Sequence, residues 1–276
     1  MSLGASPAVL PDATAAVLAD GRRKSLQGYG VCAIVLVVIV AAFTYAGAFN
    51  VARYLDAVPT IVTLLGDSLP PDFSRWQSWG TPLAETLATS ICGTVLAAAV
   101  AAPLGALAAR NTGFGPVVPL VRMVLNALRS IPDLVWGVLF VAAVGFGPLP
   151  GVLALACHSA GMLGKFYAEI IEHIDLAPGE ALRSHGVSRL AVLRFCVLPQ
   201  ILPRVVDVTL YRWEHNVRAA TVLGIIGAGG IGLQLITAFH LFEYREAVAL
   251  ILVLLGLVTA INLVGDWLRG RFLARA

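Results

Sequence analysis

Ionisable side chains set inside apolar runs are the chemistry this sequence offers. Between Leu198 and Ile226 stand Arg204, Asp207, Arg212, Glu214, His215 and Arg218, in a stretch otherwise fit to cross a bilayer. Arg129 and Lys165 interrupt two other apolar runs, and Lys165 is one of only two lysines in the chain. An ionisable residue at membrane depth costs about 2.5–3.5 kcal/mol on insertion scales, so it normally faces a bundle interior or a water-filled cavity. Two roles are therefore open to Arg129, Lys165, Glu214, His215 and Arg218. They can line a translocation path and present positive potential to a passing anion. They can also neutralise one another locally, because helical spacing allows Arg204 with Asp207, Glu214 with Arg218, Arg129 with Asp133 and Lys165 with Glu169. Cations partly balanced by acids suit conduction, which requires release, better than a bidentate arginine cage would.

Enzymatic chemistry is not indicated. The histidines His158, His173, His185, His215 and His240 show no metal-ligand spacing, and Cys32, Cys92, Cys157 and Cys196 form neither a CxxC pair nor a disulfide framework. No Ser-His-Asp or Cys-His arrangement is supported by spacing. Gly227, Gly229 and Gly232 formally fit G-x-G-x-x-G, but no strand-helix-strand unit surrounds them. Gly227, Gly229, Gly230 and Gly232 read instead as the end of a membrane helix, with close packing, a re-entrant bend or a gate as the choices. There is no G-x4-G-K-[ST] phosphate loop, so any ATP must be hydrolysed by another chain. No cofactor is expected on this one.

A second constellation is Glu180 to Pro199, EALRSHGVSRLAVLRFCVLP, a charged, helix-prone segment between two apolar runs. It reads as a docking handle for a soluble partner; an ordinary loop with a short amphipathic helix is the alternative. Glu180 sits near a helix start, where a carboxylate meets free backbone N–H groups and the positive dipole end. Gly186 permits a turn, and Pro199 marks the start of the next helix. Arg183, Arg189 and Arg194 also serve as positive flank charges.

These residues must be positioned by membrane helices. The chain has 276 residues, 58% hydrophobic and 13% charged, against roughly 25% charged in a soluble domain. Its net charge of +3 does not imply nucleic acid, since the cations flank apolar segments and form no basic stripe. Six stretches reach the length of about 20 apolar residues that a bilayer demands. They are Gly28–Ala48, Pro82–Ala109, Val118–Gly145, Leu149–Ile171, Leu198–Ile226 and Ala247–Leu268. This divides the chain into a cytoplasmic tail (1–27), a first transmembrane helix (28–48), an extracytoplasmic or interfacial segment (49–81), and a core (82–270) whose cytoplasmic loop is 175–197. A cytoplasmic tail (271–276) follows.

With the amino terminus inside, eleven cations flank the cytoplasmic ends: Arg22, Arg23, Lys24, Arg110, Arg122, Arg183, Arg189, Arg194, Arg269, Arg271 and Arg275. Arg53, Arg75 and Arg245 remain outside, so both termini and the Glu180 loop are expected in the cytoplasm. A cleavable signal peptide ending at Ala46-Gly47-Ala48 competes for the first span, but its apolar run is long for that purpose.

The handle resembles the EAA loop of ABC importer permeases, with Glu180, Ala181, Gly186, Leu198 and Pro199 at the matching places. Leu182 stands where a second Ala is usual and Cys196 where Ile is usual. RSIPDLVWGVLFV from Arg129, GKFYAEIIEHID from Gly164 and WEHNVRAATVLGIIGAGGIG from Trp213 look like the phosphonate and phosphite branch of those permeases. LAARN before Gly113 and PPDFS from Pro70 extend the likeness.

The resemblance implies an all-α integral membrane protein of the type I importer permease architecture, similar to methionine and molybdate permeases. It also implies a homodimer in a prokaryotic inner membrane. Below it would sit an ATP-binding cassette dimer using ATP and Mg, coupled through Glu180, Ala181, Arg183, Gly186, Leu198 and Pro199. Above it would sit a phosphonate- or phosphate-binding protein. The expected function is ATP-driven import of a phosphonate, phosphite or phosphate. An ATP-independent secondary anion transporter and an importer for another solute, such as methionine, are the alternatives.

Overall fold

The computed structural model describes the backbone of residues 11–113 and 115–273. The first ten residues of the expected amino-terminal tail, the side chains of Arg22, Arg23 and Arg189, and Arg275 lie outside the described residues. Two compact units divide the chain, residues 1–65 and 66–276. The first holds α1 (Pro11–Tyr45) and most of α2 (Val51–Ser68). In α1 the stretch Gln27–Tyr45 has the length and hydropathy to cross a membrane.

The second unit begins with a 3-10 turn (Trp76–Trp79) that runs into α3 (Gly80–Ala108). It continues through α4 (Val117–Ser130), α5 (Asp133–Val144), α6 (Pro148–Glu172) and α7 (Ala177–Ser184). Beyond α7 lie α8 (Arg189–Val192), α9 (Leu198–Gly224), α10 (Gly230–His240) and α11 (Tyr244–Leu273). The core is built around α6, which packs on α3, α4, α5 and α9. Its closest neighbour is α3, because small residues recur every four positions along one α3 face: Gly93, Ala97, Ala101 and Gly105, all buried. A Cβ on Gly105 would lie 2.7 Å from Tyr167 Cβ. In lipid, where apolar side chains gain nothing by leaving solvent, such close backbone contact supplies the packing energy.

The expected single span Val118–Gly145 is corrected. Pro132 disfavours α geometry at the residue before it, and Ile131 is extended (φ −86°, ψ 121°). The chain therefore breaks between α4 and α5, which meet at 85°. Pro199 stands in the first turn of α9, as expected, but no coil precedes that helix. Helix begins at Arg189 and passes through a π turn, Leu193–Val197, into α9. The Leu198 N–H reaches back five residues to Leu193 O. A proline cannot donate to the carbonyl four residues before it, and a π turn is one way a helix absorbs such a gap.

Among the described residues three helices are long and apolar enough to cross a membrane by length and composition: Gln27–Tyr45, Trp76–Ala108 and Tyr244–Arg271. The bent pair α4–α5 makes a fourth if it counts as one span. A count of six requires α6 and α9 as well, with 25 and 27 residues; they bury the polar side chains Ser159, Arg212, Glu214 and Asn216.

At one end of the second unit, next to α7, Arg110 N–H and Arg122 Nη2 both donate to Glu172 Oε1, at 2.7 and 2.6 Å. At the opposite end Arg75 bridges Glu243 (2.9 Å) and Glu246 (2.8 Å), and Arg245 donates to Pro70 O. Those carboxylates raise the Arg75 pKa, and the Ser74 N–H holds the Asp72 carboxyl below its ordinary range.

Candidate functional site

The handle is two short helical pieces folded against each other. Asp175 Oδ1 accepts the Ala177 N–H at the start of α7, while the Asp175 N–H donates to Gln200 on α9 (3.0 Å). So the aspartate satisfies the first amide of this helix. Glu180 lies in the first turn with an exposed side chain. The helix closes at Gly186, φ +77°, a left-handed position that glycine takes at no steric cost. There the N–H groups of Gly186 and Val187 satisfy the carbonyls of Arg183 and Leu182. Behind α7, Gly179 rests against Val192 and buried Cys196. Ala181 and Arg183 are exposed beside Glu180, and so are Leu198 and Pro199 one helix away.

Arg129 and Lys165, on different helices, are brought to one cavity of about 270 Å³ that Arg122, Asn126, Glu169 and Glu172 also line. Two glycines make this possible. A Cβ on Gly161 would lie 2.7 Å from the Arg129 backbone nitrogen, and one on Gly164 would meet Leu125. Lys165 pairs with Glu169 at 3.5 Å, as helical spacing allows. Arg129 does not pair with Asp133; its Nε donates to Asn126 Oδ1, and Asp133 has moved across the break onto α5.

A second cluster forms at that break. His158 on α6 bonds the carbonyl of Ile131 through Nδ1 (2.9 Å). Asp133 lies within electrostatic reach of Arg212 and His215, and His215 in turn feels Arg218 and His158. Arg212, 5% exposed, donates from Nε to Ser159 Oγ at 2.8 Å. Arg218 is exposed, on the same α9 face as Tyr211, Val222 and Ile225.

Glu214 leaves this cluster. It is buried and accepts from Arg269 Nη2 of α11 at 2.6 Å, so the expected Glu214–Arg218 pair is replaced by an interhelical one. Gly265 makes the room, since a Cβ there would overlap Glu214 Oε1. Among the described residues, no ion pair joins Arg204 to Asp207.

The four glycines gather at the opposite end from α7. Gly227 and Gly229 line a cavity of about 690 Å³ with Glu85, Phe146 and Ile225. Gly230 and Ile231 open α10, and their N–H groups donate to Glu85 Oε2 and Thr86 Oγ1, both at 2.9 Å. Gly232 packs onto the Thr221 carbonyl and Gly224, so closely that no side chain fits. Gly227, Gly229 and Gly230 all have positive φ.

The sequence alone gives Asp133 no role beyond a pair with Arg129, Arg122 none beyond a flank charge, and Ser159, Asn216, Thr94 and Glu85 none. The Ser130-Ile131-Pro132-Asp133 run carried the one usable signal, since a proline in mid-span biases the residue before it away from helix.

Residues 101–276 match the family described as binding-protein-dependent transport system inner membrane component. The chain is 47% identical to the phosphite transport system permease protein PtxC of Stutzerimonas stutzeri, over 93% of this chain and 97% of that one. It is 43% identical to the phosphate-import permease protein PhnE of Mycolicibacterium smegmatis, over 78% of this chain and 41% of the relative. Its fold is similar to a chain of the inward-facing MetNI methionine ABC transporter, with TM-score 0.63, 22% identity, and 70% of this chain and 95% of that one covered.

Proposed function

Since this chain belongs to the family of binding-protein-dependent transport system inner membrane components, the permease subunits of ABC importers, we propose that its cargo is a phosphorus oxyanion of the phosphite, phosphonate and phosphate class. The observation that carries this reading is the cavity that brings Arg122, Arg129 and Lys165 together from two helices; α9 adds Arg212 and Arg218. The relatives named for phosphite and phosphate support the same class. The methionine transporter shares the fold alone.

The α7 end then faces the cytoplasm, with both termini, and Glu180, Ala181 and Arg183 meet an ATP-binding cassette partner that hydrolyses ATP with Mg. α6 and α9 complete the six spans. Force on α7 passes through the Gly179–Val192–Cys196 contact and the Asp175–Gln200 bonds into α9. That helix carries Arg212, His215 and Arg218 and ends at the glycines beside the far cavity, so tilting it moves both the cations and the Gly227–Gly230 turn. Leu198 and Pro199 sit at the hinge made by the π turn. An extracytoplasmic binding protein delivers cargo at the glycine end.

A second copy completes the path. Arg218 is exposed within α9 on the face of Tyr211, which is 59% exposed, and a guanidinium inside a membrane span does not face lipid. The covering surface is the same face of another protomer.

The test is ATP hydrolysis in a reconstituted complex of this chain, its ATPase and its binding protein. Phosphite or methylphosphonate is expected to stimulate hydrolysis and methionine to leave it unchanged. Glu180→Ala is expected to abolish the stimulation. Transport by this chain alone would sink the reading in favour of a secondary transporter.

A further inference from the structure

Among the described residues two buried side-chain nitrogens lack a hydrogen-bond partner: Arg212 Nη2 and Trp213 Nε1. The guanidinium is the charged one. Arg212 has five donors and no acceptor. One donor, Nε–H, is spent on Ser159, and no ion pair involves this residue among those described. A cation nine-tenths buried in an apolar bundle with a free donor is a site lacking its acceptor.

The direction of that guanidinium is enforced. Ser159 Oγ accepts from Arg212 and must therefore donate onward, to Asn216 Oδ1 at 3.0 Å. Asn216 Nδ2 donates to Thr94 Oγ1 at 2.9 Å, and Thr94 donates to Ser90 O at 2.7 Å. The three side chains between Arg212 and the α3 backbone are all buried. Each has one compatible proton arrangement, so the chain anchors α9 to α6 and α3 and leaves Nη2 free.

The surroundings specify the missing group. Asp133, at the start of α5, acts electrostatically on Arg212 without forming an ion pair with it. His158 Nδ1 faces a carbonyl, so in the neutral ring it holds the proton and leaves Nε2 as an acceptor. Arg212 supplies donors, and Asp133 is the acceptor of charge nearest to hand. That set fits a tetrahedral anion carrying both bare oxygens and one O–H. It opposes an anion with no proton to give, because Asp133 would then face unscreened negative charge.

We propose that Arg212 and Asp133 form an intramembrane site for a singly protonated phosphorus oxyanion, Arg212 holding bare oxygens and Asp133 accepting from the O–H, and that this site rejects sulfate. It deepens the importer reading and rests on it. High affinity is not needed, since the cargo must leave again.

The experiment uses the permease–ATPase complex in lipid nanodiscs without the binding protein, following its thermal unfolding midpoint in millimolar phosphite, methylphosphonate or sulfate. A ligand that binds only the folded complex raises that midpoint. Phosphite and methylphosphonate are expected to raise it, and sulfate is not. Arg212→Gln should lose the shift and Asp133→Asn should let sulfate produce one. Ser159→Ala keeps the charge but frees the guanidinium, and should weaken half-saturation about tenfold; it carries the test if Arg212→Gln does not assemble.

A phosphite shift that survives Arg212→Gln or Ser159→Ala, or a sulfate shift in the wild type, overturns the site. No oxyanion shift in a complex whose ATPase is stimulated by phosphite-loaded binding protein overturns the site and leaves the importer standing. A shift that depends on Arg212, with an ATPase that never responds to phosphite, keeps the site and overturns the importer reading.

Discussion

Glu214 shows how one carboxylate is kept inside a membrane bundle. It is held by Arg269 from another helix, 55 residues away in sequence, in a notch that exists only because residue 265 is glycine. Removing Arg269, itself only partly buried, leaves the buried Glu214 carboxylate uncompensated. Arg269→Ala should therefore lower the unfolding midpoint of the purified chain strongly, and Glu214→Gln combined with Arg269→Ala should cost less than the two single changes summed. Additive losses would show that the two side chains do not depend on each other. Gly265→Ala should cost about 1–3 kcal/mol by overpacking the notch, read in the same melts. None of this was legible in the sequence, where Arg218 stands four residues from Glu214 and is the natural partner. A local rule finds partners along a helix and is blind to those across a bundle.

At the scale of elements, α7 and the helical chain behind it act as one lever only if they stay in contact. A Cβ on Gly179 would lie 3.4 Å from Val192 and 3.6 Å from Cys196, which an alanine tolerates and a larger side chain does not. Gly179→Ala should preserve substrate-stimulated ATP hydrolysis, while Gly179→Leu should abolish stimulation and keep basal hydrolysis. Equal activity in the two variants would show that force reaches α9 by another route. Gly186→Ala meets no neighbour, so its cost is the left-handed backbone alone, about 1 kcal/mol, visible as a lower melting midpoint.

The elements themselves were largely legible. α3, α6 and α11 follow from long apolar runs, and the handle from its charge. The α4–α5 break hid inside the stretch Val118–Gly145, where Arg129, Ser130 and Asp133 interrupt the apolar run without telling that the helix axis turns by 85°. The π turn hid for a related reason: Pro199 signals a missing donor but not whether the helix starts there or absorbs the gap.

For the whole molecule, the proposed pairing of two copies through the exposed α9 face is open to a direct test. Val222→Cys, in a background lacking the four native cysteines, is expected to cross-link two permeases through a short bifunctional reagent. A persistent monomer in the assembled complex would mean that a different protein covers Arg218.

The opposite end holds one further consequence. The first amides of α10 would attract any oxyanion arriving from outside, since a helix start offers free N–H donors and positive potential. Glu85 already occupies Gly230. The protein supplies its own resident anion there, so on the proposed import route incoming cargo would meet a passivated doorway instead of an adhesive one. Neutralising that carboxylate would turn the threshold into a trap, with transport slowing as external substrate rises.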